Sequence, residues 1–332
     1  MFRAVAVSVA LGLAGLGLVL WWLGEDLSSA LNVPLWAYAI GLVLALLNYL
    51  AGARRLMLLS RMDGERLPFW KAMRGYALGL FSAAITPGSA GQAPAQVVSL
   101  VADGVSAKRS WSMAVRVWIV DLIFVALTVP LSLMLLARSV RLFRGFYPGV
   151  IAALVFLASL AVVWILIYRM RWIAAAVNQI MKLPFARRWR ESSVRFIGRI
   201  EQAGRSLWTA PLGSQLLVHL CTVVIYAGTF LTFYVVVASL RPNVPLFTTM
   251  AAAQVPMVAS SFFPTPGGAG LLELVAASLI RGEHTAAAIL AWRLLTYYLR
   301  IVVGPIIGAP VLASVRSHFG NQRPSAEPAE EL

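Results

Sequence analysis

The sequence is poor in the residues from which catalytic and metal sites are built. It contains one cysteine, Cys221, and three histidines that lie far apart along the chain. A lone cysteine forms no intramolecular disulfide and provides no thiolate metal site. Acidic residues are also few, since Asp and Glu total 13 against 28 Lys and Arg. We therefore expect neither a metal site nor a cofactor.

Sequence motifs of enzyme chemistry are missing as well. The chain contains no G-x-S-x-G, no H-E-x-x-H and no Walker A sequence, which are signatures of hydrolases, zinc proteases and nucleotide hydrolysis. Within the apolar segments the carboxylates Asp121 and Glu273 are isolated from each other in sequence. The sequence therefore predicts that this chain is not an enzyme.

Apolar residues, in contrast, make up 60% of the 332 positions, and charged residues only 12%. Soluble domains carry about 25% charged residues, so this composition predicts an all-α polytopic membrane protein. A helix of about 20 apolar residues spans the roughly 30 Å hydrocarbon layer. Six runs are long enough to do so: 4–23, 35–53, 111–137, 148–168, 214–240 and 285–315.

The net charge of +15 follows the predicted topology. With both termini inside, 20 basic residues face the cytoplasm and five face outside, which is the bias that the positive-inside rule describes. The charge is therefore topological, and we expect no nucleic-acid partner. The expected location is a prokaryotic cytoplasmic membrane, crossed several times, with both termini cytoplasmic.

One transmembrane domain is predicted over residues 1–316, with halves at about 1–137 and 148–316. The basic segment 169–210 carries apolar residues, Leu207 among them, at helical spacing. It is interpreted as a cytoplasmic amphipathic linker, with a solvated connector as the alternative. The tail 317–332, with its prolines and glutamates, is predicted to be disordered.

Two stretches interrupt the apolar pattern, and they are copies of one motif. Thr86-Pro-Gly-Ser-Ala-Gly91 recurs 179 residues later as Thr265-Pro-Gly-Gly-Ala-Gly270. Each copy lies between apolar stretches too short to cross the membrane, which predicts a re-entrant helical hairpin. Three full spans separate the copies, and this odd number inverts the second relative to the first. The arrangement predicted is an inverted repeat whose hairpins meet near the midplane, where transporters hold their substrates.

The residue order of the motif is that of a helix start. A threonine hydroxyl can accept a backbone N–H, and a proline at the first helical position has no N–H to lose. The glycines leave backbone N–H groups open, and a helix N-terminus attracts anions such as phosphate. Close helix packing through small residues is the alternative. The motif-region residues predicted at a substrate site are Thr86, Gly88, Ser89, Gly91, Gln92, Gln96, Thr265, Gly267, Gly268, Gly270 and Glu273.

Ionisable residues inside the apolar segments extend this site, because charge within a membrane is costly and usually functional. Besides Glu273 they are Arg116, Asp121, Arg293 and Arg300. Arg116 follows Gly91 by 25 residues and Arg293 follows Gly270 by 23. Equivalent roles are predicted for the two arginines: pairing with Glu273 or Asp121, or binding a lipid phosphate. The alternative is an interfacial position for each of them.

At these motifs the chain resembles the transmembrane, flippase-like region of lysylphosphatidylglycerol synthases and their stand-alone relatives. The first motif matches as T-P-G-x-x-G and the second as P-T-P-G-G-x-G-x-x-E, complete from Pro264 to Glu273. The family's first motif usually ends in glutamate, where this chain has Gln92. No aminoacyl-transferase domain follows the last predicted span, so we expect no aminoacylation by this chain.

This resemblance and the paired motifs together favour a lipid translocase. The expected substrate is a phosphate-bearing lipid or a lipid-linked precursor, held by its headgroup between the two motifs. The expected partners are therefore membrane lipids, together with a separate lipid-modifying enzyme. Two alternatives stay open: a lipid-presenting subunit of a membrane glycosyltransferase or other lipid-modifying enzyme, and a small-solute secondary transporter.

Overall fold

A computed structural model describes residues 2–24, 32–139, 148–168, 201–262 and 265–320, with single helical positions at 175, 179 and 198. In the first half the helices are α1 Phe2–Leu23, α2 Leu35–Arg61, α3 Phe69–Ile85, α4 Gln92–Ala102, α5 Ala107–Ser139 and α6 Pro148–Tyr168. In the second half they are α7 Leu212–Leu240, α8 Leu246–Ser260, α9 Leu271–Leu279, α10 Thr285–Arg293 and α11 Leu299–Gly320. A π-helical turn, Leu294–Tyr298, joins α10 to α11 without a break.

Proline sets the start of several helices. Pro34, Pro68, Pro211 and Pro245 each lie immediately before the first residue of α2, α3, α7 and α8, in extended backbone. Proline lacks an N–H and disfavours helical backbone at the residue before it. A helix therefore begins readily just after a proline.

Among the residues that the structure describes, four helical segments are long and apolar enough to cross a membrane: Leu35–Arg61, Ala107–Ala137, Leu212–Leu240 and Thr285–Ser314. The predicted all-helical, multi-pass membrane protein is thereby confirmed. The other two predicted spans coincide with α1 and α6, which have 22 and 21 residues. The short helices α3 with α4, and α8 with α9, flank the two motif copies.

The buried apolar residues form two cores. One lies around α2, α3 and α5 and includes Leu56, Leu59 and Val120. The other lies around α7 to α10 and includes Phe233 and Ile289. Each hairpin therefore packs against its own core, and α7 contributes residues to both.

Glycines bring α11 directly against α3. A Cβ atom at Gly304 would lie 2.4 Å from Phe81 Cβ, and one at Gly308 would lie 2.3 Å from a methyl carbon of Leu78. The spacing is that of the G-x-x-x-G pattern, in which small residues let two membrane helices approach closely. This contact fixes the last helix against the first arm of the first hairpin.

The basic segment 169–210 falls mostly outside the described residues. Its described end is helical over residues 201–208, and Leu207 is buried in the first core. The predicted disordered tail begins within α11, which continues to Gly320, and residues 321–332 lie outside the described part. The domain boundaries stay predictions.

Candidate functional site

The first motif copy folds into a tight turn. Gly88 and Ser89 both have left-handed backbone, with φ of 55° and 58°. The N–H of Ala90 donates to the carbonyl of Pro87 at 3.1 Å. Two left-handed central residues closed by such a bond are typical of a type I′ turn.

The second copy has the same turn, closed by the same backbone hydrogen bond. Gly267 and Gly268 have φ of 58° and 68°, and Ala269 N–H donates to Pro266 O at 3.1 Å. Of the four central residues of the two turns, Ser89 alone has a side chain, and the other copy has glycine, Gly268, at the equivalent position. The repeat seen in the sequence is therefore also a repeat in local structure.

The two turns touch each other. Pro87 and Pro266 are paired as an antiparallel β-bridge, the only such pairing of extended backbone among the residues that the structure describes. A Cβ atom at Gly88 would lie 3.1 Å from the carbonyl oxygen of Ser261, so the first turn also approaches the chain just before the second. The tips of the two hairpins thus meet, and they run in opposite directions.

The helices begin later than the motif order predicts. The sequence predicts a helix start at each proline, but α4 begins at Gln92 and α9 at Leu271. The left-handed turn accounts for the difference, because two residues with positive φ interrupt a right-handed helix. The hydroxyl of Thr86 accepts the N–H of Gly91 at 2.9 Å and donates to Ser82 O at 2.7 Å. It therefore stabilises the loop that precedes the helix.

In the second copy a carboxylate occupies the helix start. Glu273 Oε2 accepts the N–H of Gly270 at 2.7 Å, and its Oε1 lies 2.7 Å from Arg293 Nε. Arg293 donates from both terminal nitrogens to Gly267 O at 3.2 Å and lies over the ring of Tyr297 at 4.1 Å. The predicted pairing of Arg293 with Glu273 is thus observed. The π-helical turn follows directly, as is common at functional sites.

Helix α1 packs onto this same loop. A Cβ atom at Gly15 would lie 2.7 Å from Gly270 N and 3.6 Å from Glu273 Oε2. Only a glycine permits this approach, since any side chain would push α1 away from the start of α9. The second motif is therefore enclosed on both sides, by α1 and by α10.

A cavity of about 740 Å³ lies beside the paired turns and is lined from both halves of the chain. Nine of the residues predicted from the sequence line it: Gly88, Ser89, Gln92, Gln96, Asp121, Gly267, Gly268, Arg293 and Arg300. Six do not: Thr86, Gly91, Arg116, Thr265, Gly270 and Glu273. Of these six, all except Arg116 lie in or directly behind the motif loops.

Asp121 lines the cavity and forms an ion pair with Arg55. Arg55 also donates to the hydroxyl of Thr222 at 3.0 Å and is buried in α2. The sequence places Arg55 in a loop, since the predicted span stops at residue 53, whereas α2 continues to Arg61. The apolar run Leu56-Met57-Leu58-Leu59 after it was the signal that the helix continues.

Arg116 lies away from the cavity. Its guanidinium bonds to both carboxylate oxygens of Asp63 at 2.5 Å and to Leu59 O at 3.0 Å. The predicted equivalence with Arg293, including a pairing with Asp121, is therefore not observed. Arg116 and Asp121 are five residues apart in one helix, about 140° around its axis, so they face different neighbours.

Neutral polar groups on the cavity wall were missed by the sequence analysis. Tyr76 donates to Asn48 Oδ1 at 2.9 Å, and Asn48 Nδ2 donates to Ile225 O at 2.9 Å. Gln254 bonds to the hydroxyls of Ser132 and Thr128. Uncharged side chains within apolar runs carry no signal of their own in a single sequence. The first set of hydrogen bonds joins α2, α3 and α7 beside the cavity, and the bonds of Gln254 join α8 to α5.

The family described as "Lysylphosphatidylglycerol synthase TM region" matches residues 5–304. A "UPF0104 membrane protein" of Archaeoglobus fulgidus is 25% identical over 273 residues, which cover 78% of this chain and 81% of that protein. The resemblance found in the motifs thus extends over nearly the whole sequence. The chain belongs to the family of the lysylphosphatidylglycerol synthase transmembrane region.

Proposed function

We propose that this protein moves a phosphate-bearing lipid between membrane leaflets without changing it chemically. The headgroup enters the cavity beside the paired turns, and the acyl chains stay in the bilayer. The observation that carries this proposal is the meeting of the two motif copies at Pro87 and Pro266, next to a cavity lined from both halves whose mostly apolar wall carries several charged and polar groups. Transporters built from repeats hold their substrates where interrupted helices meet.

An inverted repeat of six spans and two re-entrant hairpins accounts for this meeting. The shared turn geometry and the antiparallel pairing support it, since inversion makes equivalent segments run in opposite directions. With both termini on the cytoplasmic side of a prokaryotic cell membrane, the hairpins enter from opposite faces. Alternating opening of the two hairpin tips then exposes the cavity to one leaflet and then the other.

The cavity wall combines charge with exposed apolar surface. Arg55, Arg293 and Arg300 line it, and Asp121 is the one acidic residue among the described residues of its wall. Trp118 and Phe262, which also line it, are 52% and 85% exposed. An anionic headgroup fits the arginines, and lipid chains fit the exposed rings. A translocase needs both surfaces in one site, because its substrate is polar at one end only.

The test is a leaflet-accessibility assay on the purified protein in liposomes that contain a labelled anionic phospholipid. We expect the label to exchange faster than in protein-free liposomes, and Arg300→Gln to slow it at least about tenfold, since a hydrogen bond to a charged group contributes about 1.5–3 kcal/mol. Arg205→Gln, an arginine exposed on the surface and paired with Glu201, is the matched control. Exchange no faster than in protein-free liposomes would contradict the proposal.

A further inference from the structure

On the cavity wall, Nε of Arg55 is a buried hydrogen-bond donor without a partner among the described residues, and two neutral side chains carry such donors as well. The neutral donors are Nε2 of Gln96, in α4, and Nε1 of Trp292, in α10. Each side chain is only 1% exposed. A buried donor without an acceptor costs about 1–3 kcal/mol, so both groups are available to a ligand that supplies acceptor oxygens.

Arg300 provides a further unengaged donor group. It lines the cavity in α11, and within the described ranges it has no ion pair and no hydrogen bond. It also lines a small adjoining pocket between α2, α7 and the π-helical turn, together with Asn48 and Thr296. A cation at this position, without a counter-ion from the described chain, is suited to a phosphate.

The carboxylates near the cavity are already engaged. Asp121 is paired with Arg55, and Glu273 is held by Arg293 and by the N–H of Gly270. A headgroup with an ammonium would therefore meet arginines, while no described carboxylate at the cavity is free to pair with it. The site disfavours positive charge on the ligand.

The size of the cavity argues for more than a phosphate. Pockets of about 300–1,000 Å³ hold ligands of drug size, and this one has about 740 Å³. Gln96 and Trp292 donate neutral hydrogen bonds, which suit hydroxyl or ether oxygens. Tyr226 also lines the cavity and offers an aromatic surface. Together these groups recognise a polyol carried on the phosphate.

We infer that the headgroup is a phosphate that carries neighbouring hydroxyl groups and no ammonium group, as a glycerol phosphate or a sugar phosphate does. The inference rests on the proposed lipid translocation and names its substrate class. The phosphate contacts Arg300, and the hydroxyl-bearing part contacts Gln96 and Trp292. The two sources of this chemistry, a glycerophospholipid and a sugar on a polyisoprenyl phosphate, are separated by experiment.

The transport experiment compares four labelled lipids in liposomes: phosphatidylglycerol, a glycosyl phosphoryl polyisoprenol, phosphatidic acid and lysylphosphatidylglycerol. We expect at least one of the first two to move several-fold faster than phosphatidic acid, and the lysyl lipid to move no faster than without protein. If phosphatidylglycerol moves faster, the substrate is a glycerophospholipid; if the glycosyl phosphoryl polyisoprenol moves faster, it is a sugar on a polyisoprenyl phosphate. Equal rates for phosphatidic acid, or for the lysyl lipid, would overturn the inference and leave the translocase intact.

A binding experiment separates the inference from transport. In detergent, glycerol phosphate or a hexose phosphate should raise the Tm of the purified protein more than inorganic phosphate does, and ethanolamine should leave it unchanged. If no lipid moves in liposomes but this order is observed, the translocase fails and the headgroup class stands. If inorganic phosphate shifts the Tm as much as the polyol phosphates, the headgroup class is wrong.

Single substitutions test which cavity residues contact the headgroup. Gln96→Leu should lower the rate for the preferred hydroxyl-bearing lipid about three- to tenfold, the value of one neutral hydrogen bond, and leave phosphatidic acid unchanged. Ser99→Ala is the matched control, because Ser99 is also buried and without a described partner in α4 but does not line the cavity. An equal loss for both lipids in Gln96→Leu, or a similar loss in Ser99→Ala, contradicts the assignment.

Discussion

Glu273 and Arg293 form a buried ion pair, 2.7 Å from Oε1 to Nε, and each partner also holds a backbone group of the same loop. The carboxylate accepts the N–H of Gly270, and the guanidinium donates to the carbonyl of Gly267. The pair therefore fixes the second motif turn against α10 from behind. Because Glu273 does not line the cavity, its role is to position the turn that borders the cavity.

Glu273→Ala should strongly destabilise the protein. Removing one member of a buried pair leaves the other charge uncompensated, which costs about 3–5 kcal/mol. The measurement is unfolding of the purified protein in detergent, followed by circular dichroism. The control is Glu65→Ala, which breaks the ion pair with Arg109. In that pair both side chains are 40–46% exposed, so the expected cost is at most about 1 kcal/mol.

Comparison with Glu273→Gln separates the two contacts of this side chain. A glutamine oxygen can still accept the N–H of Gly270 but leaves the charge of Arg293 uncompensated. We expect a loss between those of the alanine variant and the wild type. Equal stabilities of Glu273→Ala and Glu65→Ala would show that the pair does not hold the loop.

Arg55 and Asp121 should behave as a coupled unit. Arg55→Gln or Asp121→Asn alone leaves a charge without its partner beside the cavity, whereas the double variant removes both charges. We expect the double variant to be more stable than the sum of the single losses predicts, by about 0.5–3 kcal/mol. The measurement is a double-mutant cycle on the unfolding free energy in detergent. Strictly additive losses would contradict the coupling.

The sequence was sufficient to recognise the repeated motif and the helical membrane class, since these depend on composition and on short-range patterns, and nine of its candidate site residues line the cavity. It predicted the pairing of Arg293 with Glu273, but not the partners of Asp121 and Arg116. Arg116 looked equivalent to Arg293 by spacing, but its partner Asp63 lies 53 residues before it. Such pairs depend on how helices distant in sequence pack together, and one sequence carries no signal for that.

The start of the helices was missed for a local reason. Threonine and proline favour a helix N-terminus, but the two residues that follow adopt left-handed backbone, and the helix is delayed to Gln92 and Leu271. Glycine permits this conformation without requiring it. The serine at position 89 gave no hint of it, because left-handed backbone is uncommon for residues with a side chain.

The two copies of the turn should differ in how strongly an exchange of serine and glycine affects stability. Ser89→Gly should change stability by less than about 1 kcal/mol, because relief of left-handed strain offsets the added flexibility of the unfolded chain. Gly268→Ser should cost at least about 2 kcal/mol, because it adds both left-handed strain and overpacking. Its Cβ would lie 2.4 Å from Ser260 Cβ. Unfolding in detergent measures both, and similar losses in the two variants would contradict the turn geometry.

The contact between the hairpin tips can be locked by a disulfide. Residues paired in an antiparallel bridge have Cα atoms about 4.5–5.5 Å apart, within the range of about 4.4–6.8 Å that a disulfide spans. Pro87→Cys with Pro266→Cys, in a chain whose one natural cysteine is removed by Cys221→Ser, should crosslink on mild oxidation. After cleavage at a protease site inserted between 169 and 200, the two halves should stay joined on a non-reducing gel.

The same crosslink tests whether the tips must separate during transport. If alternating opening moves the headgroup, the oxidised protein should lose translocation in liposomes, and reductant should restore it. The single variants Pro87→Cys and Pro266→Cys, each in the Cys221→Ser chain, control for loss of the prolines and should not respond to oxidant. Full activity of the crosslinked protein would mean that the headgroup passes beside the joined turns, so that the opening lies elsewhere on the cavity wall.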